Sequence, residues 1–203
     1  MKYERKDAHY RRAKAEGFRA RSAYKLADLD DRHHLFRKGD QVVDLGAWPG
    51  GWLQVALQRV GPQGRFVAVD VVPLESVPAR NAVLLVGDIR DPTVVGEIRS
   101  HLDGLANVVL SDIAPKLTGV RDVDEARCEE LVGAVLDQLP SLLDPNGRAV
   151  VKVFMDAAYQ RVLARLRQTF RIVKTTRSEA SRRGSAELYV IGEGLRSGSA
   201  LCG

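Results

Sequence analysis

Residues that can bind a ligand or move a proton occur in three short segments of the 203-residue chain, each directly after a predicted strand. The first segment is a glycine-rich loop at residues 44–52 (DLGAWPGGW). The second holds Asp112 within residues 111–115 (SDIAP), and the third holds Lys152 within residues 151–154 (VKVF). In an open α/β sheet, the carboxyl ends of the strands line the ligand crevice. The sequence therefore predicts that a glycine-rich loop, an acid and a lysine converge in one active site.

The glycine-rich loop and two later aspartates indicate a nucleoside cofactor. Residues 46–51 open a predicted helix, where glycines permit tight turning and free N–H groups favour a negatively charged or polar ligand group. Asp70 ends the second strand, where an acid commonly accepts hydrogen bonds from a ribose, and Asp88 ends the third, where it could meet an adenine amino group. The alternative, a simple turn with helix-capping aspartates, explains less well why three successive strand ends agree. The loop departs from G-x-G-x-x-G spacing, which disfavours a nicotinamide dinucleotide.

Apolar, β-rich runs alternate with helical stretches along most of the chain. A first helix is predicted from Ser22, which can cap it, to about Phe36. The predicted strands cover residues 42–45, 66–70, 83–86, 108–110, 149–154, 170–174 and 188–191. The connection between the last two is short, charged and broken by glycine, so the last strand is expected to run antiparallel. These features predict an α/β fold with a seven-stranded, mainly parallel, helix-covered sheet.

Length and an apolar content of 45% fit one globular domain. We expect this domain to span residues 17–192, after a basic N-terminal tail at residues 1–16 and before a flexible C-terminal tail at residues 193–203. The apolar runs are too short to cross a bilayer and the N-terminus is charged, so we expect a cytoplasmic protein without membrane contact. The two cysteines, Cys128 and Cys202, are widely spaced and suggest neither a disulfide framework nor a zinc site.

Charge is distributed unevenly along the chain. Residues 1–38 hold twelve Lys/Arg against six Asp/Glu, residues 39–160 hold ten against seventeen, and residues 161–203 hold nine against three. The three segments therefore carry +6, −7 and +6. If the basic ends meet in space, they form a rim that binds the phosphates of a polyanion. A solvated or disordered basic tail accounts for the same charges about as well.

Several motifs occur together in a fixed order: residues 17–26 (GFRARSAYKL), 44–52, 87–91 (GDIRD), 111–115, 151–154 and 185–189 (SAELY). On these motifs, over about residues 10–192, the chain resembles the FtsJ/RlmE family of S-adenosylmethionine-dependent RNA 2′-O-ribose methyltransferases. The resemblance implies a Rossmann-like class I methyltransferase fold with helices on both faces of the sheet. It also implies S-adenosylmethionine as the cofactor and no metal ion.

The resemblance implies which residues form the site. The family's catalytic Lys-Asp-Lys-Glu tetrad falls on Lys25, Asp112, Lys152 and Glu187. Its cofactor-contacting positions fall on Gly46, Gly51, Trp52, Asp70, Asp88 and Asp112. Two positions depart from the family pattern, because Trp48 stands where a small residue is typical and Lys116 stands where Asn is more usual.

The chemistry of methyl transfer gives each tetrad residue a role. The sulfonium methyl is already activated, so the enzyme has to align and deprotonate a weakly acidic ribose hydroxyl. Lys152 is the candidate base if it is neutral, or it binds the developing alkoxide electrostatically if it is charged. We expect Asp112 to orient that lysine, Lys25 to position the substrate, and Glu187 to support the lysines or the ribose. The plainer alternative makes Lys25 and Glu187 surface charges and Asp112 a turn residue, but Lys152 interrupts an apolar run where an unpaired lysine is costly.

The bacterial branch of the family implies a uridine ribose in the A-loop of 23S ribosomal RNA on the large subunit. The expected partner is therefore RNA, not DNA or a membrane, and the protein is expected to act as a monomer. Phosphates would be gripped by basic residues from both ends of the chain: Arg5, Lys6, Arg11, Arg12, Arg19, Arg21, Arg182 and Arg183.

Three other functions share some of these features. A transfer-RNA ribose methyltransferase would keep every catalytic residue and differ only in how it recognises RNA shape. A methyltransferase for small molecules would use the same crevice but gives no reason for two basic ends. A non-catalytic RNA-binding or ribosome-assembly factor would have no need for the complete tetrad.

Overall fold

A seven-stranded sheet with helices on both faces forms the centre of the computed structural model, which describes residues 13, 15–115, 118–182 and 184–196. The helices are α1 (Ser22–His33), α2 (Gly51–Val60), α3 (Pro92–Ser100), α4 (Arg121–Leu142) and α5 (Tyr159–Thr169). The strands are β1 (Gln41–Leu45), β2 (Arg65–Asp70), β3 (Ala82–Val86), β4 (Ala106–Ser111), β5 (Leu143–Phe154), β6 (Phe170–Thr176) and β7 (Glu187–Leu195).

The strands lie in the order β3-β2-β1-β4-β5-β7-β6. The pairs from β3 through to β5 are parallel, whereas β7 runs antiparallel to both of its neighbours, β5 and β6. Every predicted strand is present, and the prediction of one antiparallel strand is confirmed. The reason is geometric, since only residues 177–186 join β6 to β7, and a parallel crossover needs a dozen or more residues.

Two apolar clusters pack on opposite faces of the sheet, because successive strand side chains point to opposite sides. On one face, α1 and α2 contribute Leu26 and Leu53 to a cluster that includes Val42 of β1. On the other, α3, α4 and α5 pack against a cluster that includes Val43, the next residue of the same strand. The predicted placement of helices on both faces is therefore confirmed.

The helix ends have local causes. Helix α3 begins where the Asp91 side chain accepts the N–H of Thr93 at 2.9 Å, with Pro92 in the first helical position. Helix α1 ends at His33, earlier than the predicted end near Phe36, because His34 takes a left-handed conformation with φ of 52°. The N–H of His34 donates to the carbonyl of Asp30 and closes the last turn.

The ordered fold extends beyond residues 17–192 at both ends. Ala13 is fully buried, and its carbonyl accepts the N–H of Phe18 at 2.7 Å. Strand β7 continues to Leu195, which pairs with Phe170, so residues 193–195 belong to the sheet and not to the expected C-terminal tail. Of the two expected tails, residues 1–12, 14 and 197–203 lie outside the described residues. None of the helices in the described part of the chain is long and apolar enough to span a membrane.

Gly192 allows the centre of β7 to pass over Phe170. A Cβ added at Gly192 would overlap the buried Phe170 ring. We therefore expect Gly192→Ala to lower the free energy of unfolding by about 1–3 kcal/mol, the usual effect of overpacking. Gly96→Ala is the control, since a Cβ there meets nothing within 4 Å and alanine favours the interior of α3, adding about 0.5–1 kcal/mol. Urea unfolding measures both, and equal effects of the two substitutions would contradict this account of the packing.

Candidate active site

The carboxyl ends of β1 to β4 border a cleft of about 800 Å³. Four residues predicted to contact a cofactor line it together: Gly46, Asp70, Asp88 and Asp112. Apolar side chains also line the cleft, among them the exposed Trp48 and Val71. With Glu130, the cleft therefore combines four carboxylates and two arginines, Arg90 and Arg127, with apolar walls, which suits a polar ligand that bears hydroxyl groups and also has an apolar part.

Gly46 brings the loop after β1 close to the loop after β4. Its φ is +80°, a conformation that favours glycine, and a Cβ there would lie only 3.1 Å from the Cα of Ile113. The N–H groups of Gly46 and Ala47 both donate to the carbonyl of Val69, at 2.8 and 3.1 Å. These contacts fix the floor of the cleft between β1, β2 and the residue after Asp112.

Gly51 and Trp52, predicted to contact a cofactor, do not line this cleft. The Trp52 side chain is only 2% exposed and donates its indole N–H to the carbonyl of Ser22 at 2.9 Å. A Cβ at Gly51 would lie 2.9 Å from Oγ of the same serine. Both residues face α1 because the first turn of α2 packs against the start of that helix. Gly51 and Trp52 therefore form part of the contact between α1 and α2.

The two aspartates after β2 and β3 are held in place by different partners. The carboxylate of Asp70 accepts the N–H groups of Trp48 at 2.9 Å and Val72 at 2.8 Å. It therefore fixes both the glycine-rich loop after β1 and the start of the connection after β2. The carboxylate of Asp88 pairs with Arg90 at 2.6 Å. Hydrogen bonds from Arg90 lower the pKa of Asp88 against the opposing effect of burial. Asp88 therefore lines the cleft as a carboxylate.

The four residues of the predicted tetrad come together as two ion pairs. Nζ of Lys152, on β5, lies 3.1 Å from Oδ1 of Asp112 and also donates to its main-chain carbonyl at 2.6 Å. Nζ of Lys25, on α1, lies 2.5 Å from Oε1 of Glu187, on β7. Lys25 and Lys152 are only 7% and 8% exposed, so neither is a surface charge. The plainer alternative that makes Lys25 a surface charge is therefore wrong.

Tyr189 connects the two pairs, and sequence reasoning did not single it out. Its hydroxyl donates to Oε1 of Glu187 at 2.9 Å and lies 3.3 Å from Oδ1 of Asp112. Burial, followed by the charges of those two acids, raises the pKa of Tyr189 well above its ordinary value, so the phenol stays neutral. The signal in the sequence was its position two residues after Glu187, which places both side chains on the same face of β7.

Glu187 is ionised in this arrangement. Burial raises its pKa, but the neighbouring Lys25, assisted by the Tyr189 hydroxyl and the charge of Lys152, outweighs burial and leaves the pKa below its ordinary value. Ser181 also places its hydroxyl 3.2 Å from Oε1 of Glu187. The carboxylate therefore stabilises Lys25 and is itself fixed by several donors.

Asp44 is a second residue that was not singled out from the sequence, although it begins the segment at residues 44–52. It lies on β1 directly before the glycine-rich loop and is fully buried, and neither of its carboxyl oxygens has a hydrogen-bond partner within the described part of the protein. Burial, then the charges of Asp112 and Asp70, raises its pKa well above the ordinary value. An acid inside the apolar run Val42–Leu45 was the available signal.

The residues expected to grip phosphates are only partly tested. Arg19 is committed elsewhere, because its guanidinium donates to the main-chain carbonyls of Glu75 and Ser76 at 2.7 and 2.6 Å. Arg21 is half-buried and Arg182 is exposed. The other expected phosphate contacts, and the family departure Lys116, lie outside the described residues: Arg5, Lys6, Arg11, Arg12 and Arg183. Within the part that the structure describes, no group of three or more His, Cys, Asp or Glu could hold a metal ion.

The sheet order and the cleft at the strand ends define a Rossmann-like methyltransferase fold, and solved structures agree. A protein from Plasmodium falciparum described as a ribosomal RNA methyltransferase aligns with a TM-score of 0.77 at 24% identity, over 88% of this chain and 98% of that one. Fibrillarin from Aeropyrum pernix, crystallised with natively bound S-adenosyl-L-methionine, aligns with a TM-score of 0.58 at 17% identity, over 84% and 73%. At these identities the likeness shows the fold alone.

Sequence relatives narrow the class to one family. The family model of FtsJ-like methyltransferases matches residues 18–195. The ribosomal RNA large subunit methyltransferase E of Methanothermobacter thermautotrophicus is 44% identical over 192 residues, which are 95% of this chain and 91% of that relative. The protein of the same name from Azoarcus is 44% identical over 191 residues, 94% of this chain and 92% of that relative. The chain therefore belongs to the FtsJ-like methyltransferase family and is a methyltransferase.

The buried Asp44 makes stability depend on pH. Because its folded-state pKa is raised, the folded protein holds a proton that the unfolded chain releases above about pH 4, and stability falls as pH rises from there. We expect Asp44→Asn to remove this fall, so that its advantage over wild type in the free energy of unfolding grows with pH, by at most about 1.4 kcal/mol per pH unit. Urea unfolding between pH 5 and 9 measures it.

Asp91→Asn is the control of opposite sign. Hydrogen bonds from Thr93 lower the pKa of Asp91, so this carboxylate stabilises the fold above its ordinary pKa, and the stability is lost as pH falls. Asp91→Asn should therefore differ from wild type by a constant amount between pH 5 and 9, and the difference should shrink only below about pH 4. Parallel stability curves for wild type and Asp44→Asn would show that Asp44 is not protonated in the folded protein.

The Lys25–Glu187 pair should be coupled in stability. Glu187→Gln leaves Lys25 buried without its countercharge, which we expect to lower the free energy of unfolding by about 2–4 kcal/mol. The double substitution Lys25→Met with Glu187→Gln removes the stranded charge and should recover part of that loss. A double-mutant cycle by urea unfolding gives the coupling energy. Additive effects of the two single substitutions would show that the pair makes no net contribution.

Proposed function

We propose that this methyltransferase transfers the methyl group of S-adenosylmethionine to a ribose 2′-hydroxyl of large-subunit ribosomal RNA, at a uridine of the A-loop. The observation that carries the proposal is the pair of buried lysine–carboxylate contacts, linked by Tyr189, beside the cleft. The names of the relatives support the substrate, since they are large-subunit ribosomal RNA methyltransferases. The uridine and the A-loop rest on the family resemblance.

The residues of the cleft fit S-adenosylmethionine. Asp70 at the end of β2 would accept the ribose hydroxyls, and Asp88 at the end of β3 would accept the adenine amino group. The positive φ of Gly46 and the absence of a Cβ there let the main chain pack against Ile113 at the floor of the cleft. Asp112 supplies a carboxylate between this cleft and Lys152, where a cationic sulfonium is favoured. When bound, this cofactor supplies a methyl group that is already activated for transfer.

The protein's own task is to present the ribose hydroxyl. Asp112 takes two contacts from the Lys152 amino group, one through its side chain and one through its main chain, and so fixes the direction of Nζ. That nitrogen would then hold the 2′-oxygen in line for transfer. Lys25, fixed by Glu187, would hold the neighbouring part of the nucleotide. Tyr189 stays neutral and keeps the two carboxylates in register.

Lys152 has two possible roles, and substitution separates them. As a base, it would take the hydroxyl proton in its neutral form. As an electrostatic partner, it would stabilise the developing alkoxide in its charged form. Lys152→Arg keeps the charge but cannot act as a base, since a guanidinium is not deprotonated in proteins.

The contacts in the site also bear on the alternative functions. The two intact ion pairs favour an enzyme over a non-catalytic assembly factor, for which buried lysines would be a needless burden on stability. A transfer-RNA substrate is compatible with every contact in the site and differs only in RNA shape. The relatives' names favour ribosomal RNA.

The test is transfer of labelled methyl from S-adenosylmethionine to undermethylated large subunits, naked 23S ribosomal RNA and transfer RNA, followed by nucleoside mapping. We expect label in a 2′-O-methyluridine of the large-subunit RNA. Lys152→Ala should lower the rate at least about 100-fold, the usual effect of losing a group that handles a reacting proton. Lys174→Ala, at an exposed lysine on β6 paired with Glu193, is the matched control and should keep full activity.

The outcomes separate the alternatives. Residual activity in Lys152→Arg well above that of Lys152→Ala would assign the electrostatic role, and equal loss would assign the base. Label in transfer RNA alone would replace the ribosomal substrate. Cofactor binding without transfer to any of the three RNAs would favour the assembly factor.

A further inference from the structure

The segment that leads into α1 connects the cofactor cleft with the lysine–carboxylate pairs. We call residues 17–25 the strap, because they run from a contact with α2 to the buried Lys25. The N–H of Arg19 donates to Oε1 of Gln54 at 2.7 Å, and Nε2 of Gln54 donates back to the carbonyl of Gly17 at 2.9 Å. These reciprocal bonds fix the start of the strap on α2.

The Arg19 side chain then crosses the glycine-rich loop. A Cβ added at Gly50 would lie 3.0 Å from both Cδ and Nη1 of Arg19, so the side chain lies directly against this turn. Gly50 has a φ of +102°, which also favours glycine. The absence of a side chain at Gly50 therefore leaves the space that Arg19 occupies.

Beyond Gly50, the guanidinium reaches the connection between β2 and β3. It donates to the carbonyls of Glu75 and Ser76 through two different nitrogens, at 2.7 and 2.6 Å. The beginning of the same connection, Val71 and Val72, lines the cleft. Arg19 itself is not among the residues that line the cleft. The planar guanidinium of Arg19 thus holds the connection that forms this wall of the cleft, without lining the cleft itself.

We propose that Arg19 is a positioning residue for the cofactor, holding the β2–β3 connection against the strap so that the wall formed by Val71 and Val72 is in place before the ligand binds. This inference rests on the proposed function, because it takes S-adenosylmethionine as the occupant of the cleft. The strap ends at Lys25, in the first turn of α1, so the contact of Arg19 and the Lys25–Glu187 pair lie on one segment of the chain. The physical basis is preorganisation, because a wall that is already fixed loses less conformational freedom on binding.

The sign of the effect distinguishes this role from a simple charge effect. S-adenosylmethionine carries a positive sulfonium, so removing a nearby positive charge would strengthen its binding if long-range electrostatics were decisive. Loss of the contact with Glu75 and Ser76 predicts the opposite, which is weaker binding. A phosphate-gripping Arg19 predicts a third pattern, with RNA affinity lowered and cofactor affinity unchanged.

Arg32 provides a matched control at the other end of α1. It donates to Oγ1 of Thr176 at 3.2 Å and to the carbonyl of Arg177 at 2.6 Å, so it holds the connection between β6 and β7. It is therefore the same residue type at the opposite end of the helix, and it also donates to a carbonyl of a loop, in addition to its ion pair with Asp28. That loop does not line the cleft.

The experiment measures the dissociation constant of S-adenosylmethionine by calorimetry for wild type, Arg19→Met, Arg19→Lys and Arg32→Met. We expect Arg19→Met to weaken binding about tenfold, within the usual range of coupling between sites. The dissociation constant of Arg19→Lys should lie between those of wild type and Arg19→Met, because an ammonium lacks the planar group that donates to two carbonyls at once. Arg32→Met should bind as wild type does. The melting temperature without ligand should differ from wild type by less than about 4 °C in each variant, and kcat at saturating cofactor should be retained in Arg19→Met.

Different results for cofactor affinity would overturn the inference. Unchanged cofactor affinity in Arg19→Met would remove the positioning role, and if the KM for RNA rises alone, Arg19 is a phosphate contact. Equal losses in Arg19→Met and Arg32→Met would show a general effect on the fold. If Arg19→Met does not fold, Arg19→Lys carries the same comparison. Wild-type protein that does not bind S-adenosylmethionine at all would instead refute the proposed function, and with it this inference.

Discussion

The structure depends on keeping two lysines and two carboxylates together where little water reaches them. A buried ammonium is stable only if an opposite charge and further hydrogen bonds replace its lost hydration. Here the partners come from four separate elements, since Lys25 lies on α1, Lys152 on β5, Asp112 after β4 and Glu187 on β7. These elements cannot shift relative to one another without stranding a charge. The antiparallel pairing of β5 with β7, which sets Lys152 opposite Tyr189, is therefore a requirement of the site.

Most of the fold and the centre of the site could be predicted from the sequence. The strands are short apolar runs between turn residues, and this signal is local, so all seven were found. Lys152 was also recognisable, because a lysine inside the apolar run Ala149–Phe154 needs a partner. The chain order of the motifs then indicated which strand ends meet.

The surroundings that could not be predicted from the sequence depend on contacts between residues that are distant in the chain. Whether Trp52 faces a ligand or a neighbouring helix is decided by α1, whose Ser22 carbonyl takes its indole N–H. An arginine such as Arg19 is typical of a phosphate contact. Only the path of the β2–β3 connection brings the carbonyls of Glu75 and Ser76 within hydrogen-bond distance of its guanidinium. The raised pKa of Asp44 likewise follows from full burial near two other acids. Sequence periodicity carries no information on such pairings.

The place of β7 in the sheet also constrains the order in which the protein can be assembled. This strand follows β6 in the chain but lies between β5 and β6 in space. A nascent chain emerging from the ribosome therefore exposes β5 and β6 without their shared neighbour, and the gap closes only once β7 has been synthesised. Because β7 carries Glu187 and Tyr189, Lys25 has no countercharge from that strand until then. The enzyme thus completes its sheet and its charge balance in the same late step of biosynthesis.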